Sequence, residues 1–224
     1  MGLFLSQHAL QSGAHVYAVT RTITNELQDL AASYDRLTVI EIEDYTYDSI
    51  ANISTYMTQN PVDMIINNAS MYENDQPFPE MKGDQYQAFF NVHMMFPAAL
   101  CEAYFNSCKN SEHNGNIINM TDIFAERPSP KSALYCSTKA GLESLTKSMA
   151  VKYAPILRVN SIQPGPVKFL PEHDADYRQN VLSQTLIPKE AGFTPILQAV
   201  EFILDNDFVT GTSIKVDGGR SLAR

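Results

Sequence analysis

Tyr135 and Lys139 are the residues whose types and spacing could best support acid–base chemistry. They lie four positions apart in a segment that reads as helical, so both side chains project from one face of the helix. A tyrosine hydroxyl has a pKa of about 10, and a lysine cation beside it would pull that pKa toward neutrality. Asp122, which precedes them, could add a carboxyl group. These residues indicate a proton-transfer site; the alternatives are a solvated helical pair and a capping or turn aspartate.

Strand-like and helix-like segments alternate along the whole chain. Strands are predicted at residues 15–20, 37–42, 63–67, 116–120, 157–162 and 213–216, and helices at 2–12, 23–34, 46–59, 84–109, 131–153 and 194–205, with an irregular stretch over about 163–188. This order indicates βαβ units in a parallel sheet with helices on both faces. The right-handed crossover rule then favours a doubly wound, Rossmann-like α/β fold. We predict one domain over residues 1–224.

Composition excludes several classes of protein. The apolar runs are too short to cross a bilayer, and the first ten residues lack the features of a signal peptide. A net charge of −9 disfavours nonspecific binding to nucleic acid or to anionic membrane. Cys101, Cys108 and Cys136 have neither a metal-binding spacing nor an even count for disulfides. We interpret them as reduced residues of a cytoplasmic protein.

Polar residues follow four of the predicted strands. They are Arg21 after the first, Asp44 after the second, Asn67 through Ser70 after the third, and Thr121 with Asp122 after the fourth. Ligands of parallel α/β sheets bind beyond the carboxyl ends of the strands. These positions are therefore the ones expected to line a site together with Tyr135.

Four landmarks together resemble the short-chain dehydrogenase/reductase family, and the resemblance covers essentially the whole chain. They are Asn67-Asn68-Ala69-Ser70, Tyr135 through Ala140 with the Tyr-x-x-x-Lys pair, Arg158 through Ile162 followed by Pro164-Gly165-Pro166-Val167, and Asp217-Gly218-Gly219. Two departures from the family's usual pattern indicate which branch of the family the chain resembles. Asp122 occupies the position of the family's usual serine, and His93 replaces a structural asparagine. Aspartate there is similar to the pteridine reductases, and residues 172–179 and 208–220 resemble the bacterial dihydromonapterin reductases, an alternative dihydrofolate reductase group.

The resemblance implies hydride transfer from NADPH to the C=N bond of a dihydropterin, either dihydromonapterin or dihydrofolate. Tyr135 would deliver the proton, and Lys139 would tune Tyr135 and hold the nicotinamide ribose. Asp122 would orient the substrate or relay a proton. His93 is either a core histidine or a residue that holds an active-site water or Lys139.

Cofactor contacts are implied at further positions. Arg21 suits the 2′-phosphate of NADPH, because a cation there favours NADPH and an acidic residue would favour NAD; a solvated surface arginine is the alternative. Asp44 is expected at the adenine edge, with Asn68 and Ala69 along the adenosine. The remaining positions that the resemblance assigns to the cofactor are Gly2, Ser70, Thr121, Tyr135, Lys139, Pro164, Gly165 and Val167.

The phosphate-binding turn of the family has no counterpart in the chain. A complete member begins with a strand and a TGxxx[GR]IG turn, whose backbone amides bind the cofactor phosphates. Gly2 matches the last glycine of that turn, and none of the ten glycines forms G-x-G-x-x-G. The missing strand would be central and would leave two neighbours with unpaired edges. We expect a mis-assigned start rather than a real truncation; the activity of the chain as given stays open.

The loop over about 163–190 is expected to cap the substrate. Glu172, His173, Asp174 and Asp176 lack the spacing of a metal site, so we predict a mobile lid and no metal. The alternatives to a pterin reductase are a short-chain reductase of carbonyl substrates and a catalytically inactive dinucleotide-fold module. By family analogy, a homo-oligomer formed through the helices at 84–109 and 131–153 is expected.

Overall fold

The computed structural model of the protein describes residues 1–76, 83–110 and 114–223. Its strands are β1 Val16–Thr20, β2 Leu37–Glu41, β3 Met64–Asn67, β4 Gly115–Met120, β5 Leu157–Pro164 and β6 Ser213–Val216. Its α-helices are α1 Gly2–Gln11, α2 Asn25–Ser33, α3 Tyr47–Gln59, α4 Gly83–Phe90, α5 Phe96–Cys108, α6 Ala133–Tyr153, α7 Ala175–Ser183 and α8 Thr194–Asp205. The predicted α/β fold with parallel strands is confirmed.

One predicted helix, at 84–109, is interrupted. Residues Asn91–Met95 form a π-helical turn between α4 and α5, in which the amide of Phe96 donates to the carbonyl of Asn91. Pro97 explains the turn, because proline has no N–H and its ring clashes with the carbonyl four residues earlier. A wider turn relieves that clash. The turn places His93 in the interior, where its side chain is 1% exposed.

The stretch predicted to be irregular contains helix α7. Asp174 caps its N-terminus, with the carboxylate accepting a hydrogen bond of 2.7 Å from the amide of Tyr177. Aspartate is among the residues preferred at this position. The prediction of an irregular segment was therefore wrong for Ala175–Ser183.

The strands form two sheets rather than the single predicted sheet. Strands β1 and β2 pair with each other, and β3, β4, β5 and β6 pair in that order, all in parallel. Strands β1 and β3 therefore have one pairing neighbour each within the described ranges. A cavity of about 1190 Å³ lies between them and is also lined by residues of α1, α3, α5 and α8. We call this cavity the slot.

The slot changes the burial of the strands that border it. Every residue of β4 is buried, as expected for an internal strand of a parallel sheet. The residues of β3 are all only half-buried, and Val19 of β1 is exposed. The packed core lies elsewhere, with α3, α5 and α6 against one face of β4 and β5, and α8 with the first turns of α1 on the other face.

The three cysteines are buried. Among the described residues, no helix combines the length and the apolar character that crossing a membrane requires.

Candidate active site

Asp122 lies just beyond the carboxyl end of β4, and both of its carboxylate oxygens are engaged. Oδ1 accepts a hydrogen bond of 2.8 Å from the amide of Phe124, which caps the short 3₁₀ turn at Ile123–Ala125. Oδ2 accepts a hydrogen bond of 2.9 Å from the hydroxyl of Tyr135. Burial raises the pKa of Asp122, although these two donors and the charge of Lys139 oppose the rise. The aspartate is thus a capping residue and a partner of the tyrosine at the same time.

Tyr135 lies in the first turn of α6 and is 5% exposed. Its ring meets Tyr72 and Phe89 edge to face, at centroid distances of 4.9 and 6.1 Å. Asp75 fixes this end of the helix, since its carboxylate accepts from the amides of Ala133 at 2.7 Å and Leu134 at 3.2 Å. Sequence reasoning missed Asp75, because it is 58 residues from the helix that it caps.

Lys139 is fully buried one turn further along α6, and its Nζ donates to the carbonyl of Met120 at 3.0 Å. The Nζ lies 5.7 Å from the centroid of the Tyr135 ring. Burial lowers the pKa of Lys139 to about 8, against the charges of Asp122 and Glu143, which favour its cation. The charges of both carboxylates therefore act on the ammonium group, although its hydrogen bond goes to the backbone.

The pKa of Tyr135 runs opposite to the prediction that Lys139 pulls it toward neutrality. Burial raises the pKa of Tyr135, and the charge and hydrogen bond of Asp122 raise it further. The side chain of Ser70 opposes the rise. Asp122 accepts a hydrogen bond from the phenol, whereas the ammonium group of Lys139 bonds to the backbone, so the effect of the carboxylate outweighs that of the lysine. The tyrosine consequently stays protonated at neutral pH in this structure.

His93 connects the loop after β3 to α6. Its Nε2 lies 2.9 Å from the Ser70 hydroxyl, and its Nδ1 lies 2.9 Å from the Thr138 hydroxyl. Its ring stands edge to face with Tyr135 at a centroid distance of 5.4 Å. Burial, with the charge of Lys139, lowers the pKa of His93 to about 3, so the ring is neutral at physiological pH. Ser70, predicted as a cofactor residue, is bonded to this ring.

Glu143 is a buried residue that the sequence analysis did not select. Its carboxylate accepts hydrogen bonds from Ser161 at 2.9 Å and Ser213 at 3.2 Å, and from the hydroxyl of Thr121. It thereby links α6 to β5, β6 and the end of β4. The available signal was its position four residues after Lys139, on the same helix face.

Thr121, which is predicted as a cofactor residue, has a buried side chain. Its hydroxyl is bonded to Glu143 and to the carbonyl of Ile162, and the residue is 4% exposed. The side chain therefore points into the core, because the carboxylate of Glu143 and the neighbouring strand supply its acceptors.

The residues predicted for the adenosine end have contacts of their own. Arg21 lies 3.9 Å from the carboxylate of Asp44, with both side chains partly exposed, and its guanidinium stacks 4.9 Å from the centroid of Tyr45. Asn68 lies against the start of α1, since a Cβ on Gly2 would meet its Nδ2 at 2.9 Å. The Oδ1 of Asn68 is buried and has no hydrogen-bond partner among the described residues. Ala69 follows it in an exposed position.

The segment after β5 passes close to the end of β6. The amide of Gly165 donates to the carbonyl of Val216 at 3.0 Å, and a Cβ there would lie 2.7 Å from the backbone of Asp217. Only glycine allows this approach, so the segment from Pro164 to Val167 turns sharply past β6. The amide of Val167 then donates to the carbonyl of Gly165 at 2.8 Å.

Comparison with known proteins identifies the family. A short-chain dehydrogenase profile, described as enoyl-(acyl carrier protein) reductase, matches residues 1–221. A dihydromonapterin reductase of Shigella sonnei (strain Ss046) is 30% identical over 225 residues, which cover 99% of this chain and 92% of that protein. This chain belongs to the short-chain dehydrogenase/reductase family. A dihydromonapterin reductase of Enterobacter sp. (strain 638) is 35% identical over 159 residues, 70% of this chain and 66% of that protein's length.

Solved members of the short-chain dehydrogenase/reductase family superpose closely. FolM, an alternative dihydrofolate reductase 1 from Brucella canis solved in complex with NADP, has a TM-score of 0.89 and 22% identity, and covers 100% of this chain and 92% of its own. A 4-hydroxyisoleucine dehydrogenase complexed with NADH has a TM-score of 0.91 and 23% identity, with 99% and 94% coverage. At these identities the likeness establishes the fold.

Proposed function

We propose that this family member reduces dihydropterins with NADPH, with dihydromonapterin as one substrate and dihydrofolate as a second. The observation that carries the proposal is the 2.9 Å hydrogen bond between the Tyr135 hydroxyl and Asp122. A carboxylate is a strong acceptor for the amino and ring N–H donors of a pterin. The names of the curated relatives, dihydromonapterin reductases, support the same substrate class.

The protonation states of Tyr135, Asp122 and Lys139 suit reduction of the substrate. The raised pKa of Tyr135 keeps the phenol protonated until a base stronger than Asp122 comes into contact with the hydroxyl. Reduction of a C=N bond creates such a base, because the nitrogen gains electron density and takes up a proton. Tyr135 would donate that proton, and Asp122 would accept N–H groups of the substrate with its remaining lone pairs. Lys139 would place a positive charge beside the phenolate as it forms.

The residues present fit both ends of NADPH. At one end, Arg21 offers a partly exposed guanidinium for the 2′-phosphate, and Asn68 offers a buried Oδ1 that lacks a partner in the part of the chain that the structure describes. At the other end, Lys139 and Tyr135 would hold the nicotinamide ribose. Asp44, Ala69, Gly2, Pro164, Gly165 and Val167 would line the path between the ends. When bound, NADPH supplies the hydride.

The proposal extends to the domain organisation, the oligomeric state and the location of the protein. We infer one dinucleotide-binding domain, with the loop over about 163–190 capping the substrate. A homo-oligomer formed through the helices predicted at 84–109 and 131–153 and a cytoplasmic location belong to the same proposal.

One assay separates this function from the alternatives. The purified chain is mixed with NADPH or NADH and either dihydromonapterin, dihydrofolate or a panel of ketones, and cofactor oxidation is followed by absorbance. A second protein carries an apolar strand and a glycine turn joined ahead of Met1, which would fill the slot. We expect pterin turnover with NADPH, larger in the second protein. Turnover of ketones alone would indicate a carbonyl reductase, and cofactor binding without turnover of any substrate an inactive module.

A further inference from the structure

The hydrogen bonds around His93 determine which of its nitrogens carries the proton. The amide of Met71 points at Nε2 at 3.4 Å, and an amide can only donate. The Thr138 hydroxyl donates its single hydrogen to the carbonyl of Tyr135 at 2.8 Å, so toward Nδ1 it can only accept. Both partners require a neutral ring with hydrogen on Nδ1 and a lone pair on Nε2.

This tautomer sets the direction of the Ser70 hydroxyl. Because Nε2 is an acceptor, Ser70 donates its hydrogen to His93 across 2.9 Å in the resting state. Ser70 also acts on Tyr135, because it opposes the rise in the pKa of that phenol, whose own hydrogen goes to Asp122. His93 is a poor acceptor for a proton from Ser70 or Tyr135. With a pKa of about 3, only on the order of one ring in ten thousand is protonated at pH 7.

We propose that Ser70 is a rotating hydroxyl that stabilises the Tyr135 phenolate, and that His93 is the positioning residue that holds it in place. In the resting state the Ser70 hydrogen points to Nε2. When Tyr135 gives its proton to the substrate, the Ser70 O–H rotates from Nε2 to the phenolate oxygen. No proton leaves Ser70, and Nε2 keeps the amide of Met71 as its donor.

The proposal rests on the proposed role of Tyr135 as proton donor, but its test needs no turnover. In the chain labelled with ¹⁵N histidine, which has five histidines, His93→Asn identifies the His93 signals. We expect nitrogen shifts of an Nδ1–H tautomer that stay unchanged down to about pH 4. Hydrogen on Nε2, or titration of His93 near its ordinary pKa of about 6.5, would overturn the proposal.

The second measurement follows ionisation of the phenol itself. A ring-fluorinated tyrosine, which is more acidic, is placed at position 135, and its ¹⁹F shift is recorded against pH. We expect Ser70→Ala to reduce the ionisation constant about tenfold, the loss of one hydrogen bond to the charged form. Thr138→Val, which removes the acceptor of Nδ1–H, should give a smaller effect in the same direction.

The matched control is Ser137→Ala, on the same helix, because Ser137 is exposed and its hydroxyl donates only to the carbonyl of Leu134 among the described contacts. Thermal unfolding of each variant checks that it is folded. An unchanged ionisation constant in folded Ser70→Ala would overturn the proposal. Loss of pterin turnover with the ¹⁹F result intact would instead count against the proposed function alone.

Discussion

At the scale of single residues, Asp122 and Tyr135 determine the acid–base properties of the candidate active site. The carboxylate accepts the phenol hydrogen and caps the turn that follows β4, so its position is fixed from both sides. Sequence spacing predicts that Tyr135 and Lys139 share a helix face. It does not predict the direction of the Tyr135 pKa, which depends on burial and on a carboxylate brought in by another element.

Tyr135→Phe tests the proton donor. We expect kcat for dihydromonapterin to fall by about 10²- to 10⁴-fold, the usual contribution of general acid catalysis, while the dissociation constant for NADPH changes little. Stopped-flow and equilibrium fluorescence measurements give both quantities. Tyr72→Phe is the control, because the Tyr72 ring packs on Tyr135 while its hydroxyl reaches Asn74 and Ser132. A Tyr135→Phe variant with normal kcat would assign the donor to another group.

At the scale of elements, the departures from the sequence prediction come from local chemistry that periodicity does not register. The helix at 84–109 keeps its apolar pattern through Asn91–Met95, and Pro97 changes its hydrogen bonding. Helix α7 has weak amphipathic character and is marked mainly by its cap, Asp174. Asp75 and Glu143 also escape sequence reasoning, because their partners lie on other elements.

Asp174→Ala tests whether α7 acts as a lid. Loss of the N-cap should destabilise the helix by about 1 kcal/mol and raise KM for the pterin more than it lowers kcat. Hydrogen exchange of residues 175–183 should accelerate while exchange in β4 stays unchanged. Asp176→Ala is the matched control, since it removes an acidic residue of the same turn but leaves the cap. Equal effects of the two substitutions would show that charge, and not capping, matters here.

At the scale of the whole molecule, the slot separates the described strands into two parallel sheets. Among the described residues, strands β1 and β3 pair on one side each, so the backbone groups on their facing edges find no strand partner there. The alternation of strands and helices in the sequence predicts the parallel α/β fold. It could not give the extent of the cavity, which depends on how α1, α3 and α5 pack around it.

Hydrogen exchange measures this division directly. We expect the amides of Val16–Thr20 and Met64–Asn67 that face the slot to exchange faster than those of β4 and β5, because one-sided strands open at lower free energy. Exchange followed by NMR at single residues provides the comparison. The amides that pair β1 with β2 serve as the internal control. Uniform protection across β1, β3, β4 and β5 would mean that the slot is closed in solution.

Global stability should depend on pH through Lys139. Its pKa falls from 10.5 in the unfolded chain to about 8 in the folded one, so the charge is disfavoured by folding. Below pH 8 both states hold the proton and the full penalty applies; between pH 8 and 10.5 only the unfolded state holds it, so stability rises with pH. The unfolding free energy of the wild type minus that of Lys139→Met should therefore rise by roughly 3 kcal/mol across this window. Urea unfolding at several pH values measures it, and a flat difference would contradict the burial of this charge.

The most direct test of the account is the ratio of kcat/KM for dihydromonapterin to that for a ketone, measured with NADPH in the wild type and in Asp122→Ser. Serine restores the hydroxyl that is usual in the family but removes the carboxylate that would bind pterin N–H groups. We predict that the ratio favours the pterin in the wild type and falls by about 10²-fold or more in the variant, as expected when a charged hydrogen-bond acceptor is lost. An unchanged ratio would contradict the role of Asp122 in selecting a pterin as substrate.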